Sequence, residues 1–199
     1  MNIVEQNVSV NMIRDNLEHI PEYPLPPGIS LRWYQPGDEQ HWVDIHLLAD
    51  PYNKINLALW RREFGGDAHI LSQRQAFLVQ EETGYVFGTA TAWWDDDYYG
   101  QPYGRIHWVA IVPAMQGQGL ARPLLSIVCR QLKALGSERA YLVTSTGRIP
   151  AINLYARFGF RPHIRTAEER EIWHQVQAYV RVPLGPDTWR RFYTSIQPN

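Results

Sequence analysis

Six residues, Gln116-Gly117-Gln118-Gly119-Leu120-Ala121, lie between an apolar run ending at Val112 and a stretch with helical spacing of apolar residues. A helix starting here would present unpaired backbone N–H groups and the positive end of its macrodipole. Glycines have no Cβ, so a large anion can approach those amides. Arg122 adds a formal charge beside them. The chemistry is anion binding, with a phosphate as the natural ligand. A Walker loop needs Lys and then Ser or Thr after its last glycine, and Ala121-Arg122 stand there instead. A dinucleotide fingerprint needs Gly or Ala where this chain has Arg122. The plain alternative is a glycine-rich connection that binds nothing.

Gln-x-x-Gly-x-Ala, placed after Trp108-Val109-Ala110-Ile111-Val112-Pro113, resembles the acetyl-CoA motif of the GNAT superfamily. That motif is Arg or Gln, two free positions, Gly, one free position, then Gly or Ala. Further on, Ala151-Ile152-Asn153-Leu154-Tyr155-Ala156-Arg157-Phe158-Gly159-Phe160 is similar to the second hallmark of the family, an Asn and a Tyr on a short helix followed by Gly-Phe. The resemblance covers residues 29–182, with its specific content between 105 and 161. It implies acetyl-CoA as co-substrate and direct transfer of its acetyl group to a primary amine through a tetrahedral intermediate. A non-catalytic acyl-CoA-binding or sensing domain is the alternative, and a scaffold keeping only the fold is a further one.

Such a transfer requires that the amine lose a proton, that the oxyanion be stabilised, and that the departing thiolate be protonated. The resemblance assigns the cofactor to the backbone of Val109, Ala110, Ile111 and Val112, to the turn from Gln116 through Ala121 with Arg122, and to Asn153. It assigns the general acid to Tyr155, whose phenol, with a reference pKa of about 10, is protonated at neutral pH. Packing beside Leu154 and Phe158 is the other reading of that ring. His107 is the candidate general base, because strict alternation puts Arg105, His107, Val109 and Ile111 on one strand face. A structural histidine is the competing reading. Asp95, Asp96 and Asp97 after Trp93-Trp94 read as a solvated turn, or as an attractor for a cationic amine. No metal is expected, since no histidine stands at ligand spacing from that run. Cys129, the single cysteine, falls on an apolar helix face and reads as a buried small hydrophobe rather than a nucleophile. Thr144, Ser145 and Thr146 either line the acceptor site or cap the next helix.

The elements that must hold these residues follow from patterning. Residues 1–27 read as an irregular, proline-rich arm, extended across a single acyltransferase domain of residues 28–199. Strands are expected at Ile29–Tyr34, Ala76–Gln80, Tyr85–Trp94, Arg105–Val112, Arg139–Thr144, Phe160–Ile164 and Val176–Val182. Helices are expected from Asp38, with that residue as cap, to Ala49, then at Tyr52–Phe64, Gly119–Leu135 and Pro150–Phe158. Pro123 is tolerable only in a first turn, so the third helix must begin close to Gly119. The class is α/β: a GNAT-style twisted, mixed, mostly antiparallel sheet flanked by helices.

The chain has 199 residues, 45% apolar and 20% charged, with a formal net charge of −1. That balance favours neither nucleic acid nor a disordered acidic activator. No charged-then-apolar leader opens the sequence and no apolar run reaches membrane-spanning length, so a cytoplasmic location without membrane partners is the expectation. The acceptor, a small-molecule or peptide amine, matches no signature. The eight Trp and eleven Tyr and the proline arm would suit a homodimer without requiring one.

Overall fold

The computed structural model describes residues 1–184. They cluster into two compact units, one of residues 18–137 and one joining residues 1–17 to the chain from Glu138 onward.

In the first unit, strands β2 (Ile29–Trp33), β3 (Gln75–Gln80), β4 (Val86–Asp95) and β5 (Tyr103–Ile111) pair antiparallel in sequence order. Three helices separate β2 from β3: α2 (Asp38–Ala49), α3 (Leu57–Phe64) and α4 (Ala68–Ser72). A 3-10 turn at Pro113–Met115 then leads towards α5 (Ala121–Ala134). Helix α5 packs its apolar stripe against β4 and β5, and Leu124, Leu125, Val128, Cys129 and Leu132 are all fully buried. Each such leucine contributes about 1.5–3 kcal/mol of apolar burial. Cys129 is thus the small hydrophobe that its spacing suggests.

Two boundaries differ from expectation, and one helix was not expected. The cap of α2 is Gly37. Asp38 is buried inside the first turn, where it accepts from both Nη atoms of Arg32 and from the Gln35 amide. Helix α3 begins only at Leu57, because the Asn56 side chain caps it by accepting from the Leu59 amide. Helix α4, which the sequence reading omitted, is capped by Asp67.

In the second unit, β1 (Ser9–Arg14) lies between β6 (Ala140–Ser145) and β7 (Arg161–Pro162), antiparallel to both. The expectation of an irregular chain up to Pro27 is therefore corrected over Ile3–Arg14. Helix α1 (Ile3–Gln6) is closed by an Asn2/Glu5 capping box, and Val10 and Met12 of β1 point into a core. From Asp15 to Gly28 the chain forms neither helix nor strand. Helix α6 (Ile149–Arg157) precedes β7, and α7 (Ala167–Gln177) follows it. The strand expected at Val176–Val182 is not there. A Thr166/Glu169 capping box starts α7, and Trp173 and Val176 form its buried face.

Candidate active site

The glycine turn has the form its sequence demands. Gly117 and Gly119 adopt φ of 76° and 80°, conformations that an L side chain rarely takes. Five consecutive amides, Gly117 to Ala121, donate to no backbone carbonyl among the described residues. Helix α5 begins with Leu120 as its N-cap and has no side-chain cap. Pro123 occupies the third helical position, where an N–H would have lacked a partner in any case. The helix starts two residues later than expected, and Pro123 is still accommodated in its first turn. Gln116 turns back and donates its Nε2–H to the Ile111 carbonyl at 2.7 Å, bracing the turn against the end of β5. Arg122 is exposed, with its guanidinium 5.7 Å from the ring centre of Tyr23.

That tyrosine belongs to the segment that begins at Glu18 and docks along α5. Ser126, fully buried, faces the Pro21 carbonyl at 2.7 Å and accepts from the Tyr23 amide at 3.2 Å. Beside the turn a cleft of about 330 Å³ is lined by Pro26, Pro27, Gln80, Met115, Gln118 and Leu120, among others.

Strand β5 departs from regular alternation just before the turn. His107 faces Thr91 and Ala110 faces Thr89, so two residues, Trp108 and Val109, stand opposite Ala90 alone. This is a β-bulge, and Trp108 carries φ of 49°, a genuine outlier for a bulky residue. The expected common face of Arg105, His107, Val109 and Ile111 is corrected accordingly. Arg105, His107 and Ala110 share one face, and Ile111 turns to the other with Ile106. Trp108 and Val109 have no register partner of their own on β4, and beyond them the Val112 amide donates to the Phe87 carbonyl at 2.9 Å.

The bulge brings consecutive side chains to one acceptor. His107 Nε2 and Trp108 Nε1 each lie 3.1 Å from Oε2 of Glu63, in the last turn of α3. The hydrogen bond from His107, aided by that from Trp108, holds the Glu63 carboxyl down to about 2. Burial pushes the His107 imidazole down to about 4, with Arg105 acting in the same direction and Glu63 opposing. The pair is therefore a neutral imidazole donating Nε2–H to an ionised carboxylate, with Nδ1 as the ring's acceptor nitrogen. Phe64 packs edge-on to His107 and to Trp93, while Trp42 and His46 flank Trp108. Glu63 has no sequence signature, since its partners lie 44 and 45 positions away.

In the other unit, α6 places Tyr155 at 7% exposure, its ring 6.2 Å from Phe160. Gly159, with φ of 78°, ends this helix, and an added Cβ there would meet Arg14 Nη1 at 3.1 Å. Arg14 in turn donates to the Phe158 carbonyl. Asn153 donates to the Ile149 carbonyl and accepts from the amides of Arg181 and Val182 at 2.7 and 3.2 Å. Thr146 and Ser145 bind the first turn of the chain, through the Ile3 carbonyl and Asn7. Asp95 and Asp97 accept from backbone amides of their own turn, Asp97 N and Gly100 N. Among the described residues no group of three or more His, Cys, Asp or Glu could hold a metal ion. No described helix is long and apolar enough to cross a membrane.

Residues 33–160 match the model of the acetyltransferase (GNAT) family. The chain belongs to this family. A mycothiol acetyltransferase of Streptomyces bingchenggensis is 29% identical over 145 residues, covering 71% of this chain and 46% of its own length. The chain thus spans about half the length of the curated relatives it matches. Among solved structures, a GCN5-related N-acetyltransferase from Sphaerobacter thermophilus superposes with a TM-score of 0.66 at 22% identity, over 80% of this chain and 51% of that one. The ribosomal-protein-S18-alanine N-acetyltransferase of Escherichia coli gives 0.54 at 20% identity, over 70% and 86%. These likenesses show the GNAT fold, an α/β arrangement of mixed sheet and flanking helices.

Proposed function

We propose that the chain transfers an acetyl group from acetyl-CoA to a primary amine. The observation that carries this reading is the run of five unpaired amides at the start of α5, on a chain of GNAT descent. Backbone donors at a helix N-terminus suit the CoA pyrophosphate, and Arg122 adds positive charge. The amine nitrogen attacks the thioester carbonyl, and the oxyanion that forms is met by backbone of the Val109–Val112 stretch. The C–S bond then breaks, and Tyr155 gives its proton to the departing sulfur. Any proton passing to His107 goes to Nδ1, and an imidazole pushed down to about 4 is a weak acceptor. The ammonium therefore loses its proton mainly to solvent. The relatives named mycothiol acetyltransferases make the amine of a mycothiol precursor one acceptor to screen, beside polyamines, amino acids and peptide N-termini. The site's chemistry is compatible with a cytoplasmic enzyme. A homodimer is an open arrangement for the aromatic surface.

Calorimetric titration of acetyl-CoA tests the reading. Micromolar binding is expected, weakened at least about tenfold, or ~1.4 kcal/mol, by Gly119→Glu. That variant sets a carboxylate among the turn's amides. Tyr155→Phe should leave acetyl-CoA affinity unchanged and lower kcat by about 10²–10⁴, the range of a general acid. A wild-type chain that binds no acetyl-CoA would end the proposal.

A further inference from the structure

Two features of the first unit are unfavourable in isolation. Trp108 sits at φ of 49° within a strand, a strained conformation that persists only where its surroundings enforce it. Glu63 is a carboxylate in the last turn of α3, at the negative end of the helix dipole, where anions are disfavoured. Each answers the other. The single oxygen Oε2 accepts from His107 and from Trp108, two successive residues whose side chains would point to opposite faces of a regular strand. Only a bulge between them allows both contacts, and both contacts hold the bulge.

We propose that Glu63 is a positioning residue for acetyl transfer: its two-donor clamp on His107 and Trp108 fixes the β5 bulge and thereby aims the bulged Val109 peptide at the thioester carbonyl. The inference rests on the acetyltransferase reading. Its content is that a side chain on α3, far in sequence from both hallmarks, sets the geometry of the reacting backbone. Glu63 does not serve as the proton acceptor for the amine, because Oε2 already receives two donors and Oε1 lies 3.4 Å from Arg62 Nη2. The surrounding rings reinforce the clamp. Trp42 and Trp108 meet edge to face at 5.0 Å between centres, and Phe64 meets His107 at 5.5 Å.

Glu63→Gln is nearly isosteric, but it replaces the carboxylate with a neutral amide, so both acceptances lose the charge that strengthens them, and the amide brings N–H groups of its own. Trp108→Phe removes one donor and keeps an aromatic ring. Each variant is expected to lower kcat about a hundredfold, the effect of a misplacement on the order of 1 Å, with acetyl-CoA affinity by titration changed less than about threefold. The double variant should be no worse than either single one, since both break the same unit. In ¹H–¹⁵N spectra of the full chain, Glu63→Gln should shift the Trp108 indole resonance and move the Val109 and Ala110 amides. A lower melting temperature with kcat unchanged, or amides of Val109 and Ala110 that stay put, would overturn the proposal. If Glu63→Gln does not fold, Trp108→Phe carries the same kinetic and spectral test. Wild-type protein that fails to bind or turn over acetyl-CoA removes the underlying reading, a result seen before any variant is made.

Discussion

At the scale of single residues, chemistry depends on which atoms are already engaged. His107 illustrates this. Its position on β5 suggested a base, yet its Nε2 donates to Glu63 and burial holds the ring neutral, down to about 4. A reference imidazole titrates near 6.5, and this one does so well below. The acid limb of kcat/KM should therefore follow the ionisation of the acceptor amine, with no inflection near 6.5. Rate profiles with two amines of different pKa decide the matter. A limb that moves with the amine supports solvent deprotonation, and a limb fixed for both amines would assign the base to the protein. Residues legible in the sequence were those whose role is local. The glycines at 117 and 119 could be read because their conformations follow from the turn itself. Glu63 could not, because its role exists only once α3 is laid beside β5.

At the scale of elements, periodicity revealed α5 to within two residues at either end, since a full apolar stripe recurs along it and is completely buried. It failed where elements are short or carry two patterns. Strand β1 alternates over only six residues, with Asn11 half-buried between Val10 and Met12, and nothing local distinguishes it from a polar terminus. The run Val176-Gln177-Ala178-Tyr179-Val180 alternates like a strand, but Trp173 and Val176 are spaced for a helix face, and the capping box at Thr166 fixes that outcome. The β5 bulge was illegible for a third reason, since it arises from contacts to α2 and α3. The docked arm yields a prediction at this scale. Ser126→Ala removes the buried hydroxyl that meets Pro21, Tyr23 and Arg122, at a cost of about 1–3 kcal/mol. For a chain of this size that is a fall in Tm of roughly 2–4 °C per kcal/mol. The amides of Ile20, Glu22, Tyr23 and Leu25 should exchange faster with solvent. Unchanged exchange would show that the exposed pairs Lys133–Glu18 and Arg130–Glu22 suffice to hold the arm, against the small stabilisation such pairs usually contribute.

At the scale of the whole molecule, these engaged groups set the pH range over which the chain stays folded. His107 binds its proton more weakly folded, near 4, than unfolded, near 6.5. Between those values the unfolded chain takes up more protons, so stability falls as pH drops from 6.5 towards 4. The full shift corresponds to roughly 3 kcal/mol for this nearly buried ring. Glu63, held down to about 2 from 4.5, contributes stability that is present above 4.5 and lost as pH falls through its folded value. The two groups share one hydrogen bond, so their effects overlap rather than add. Tyr34 closes the range from above: burial, with a hydrogen bond to Glu39, raises it to about 12, and its contribution is lost as pH climbs from 10 towards 12. Stability should thus be broad and flat between about 7 and 10. Denaturant melts at pH 7.5, 5.5 and 4.5 should show a progressive loss in the wild type. His107→Gln removes the titrating ring and should flatten the upper part of that loss, between pH 7.5 and 5.5, even if the variant is less stable at every pH. A variant curve parallel to the wild type across that interval would place the acid sensitivity elsewhere, with half-buried His163, whose imidazole burial also lowers, as the next group to replace.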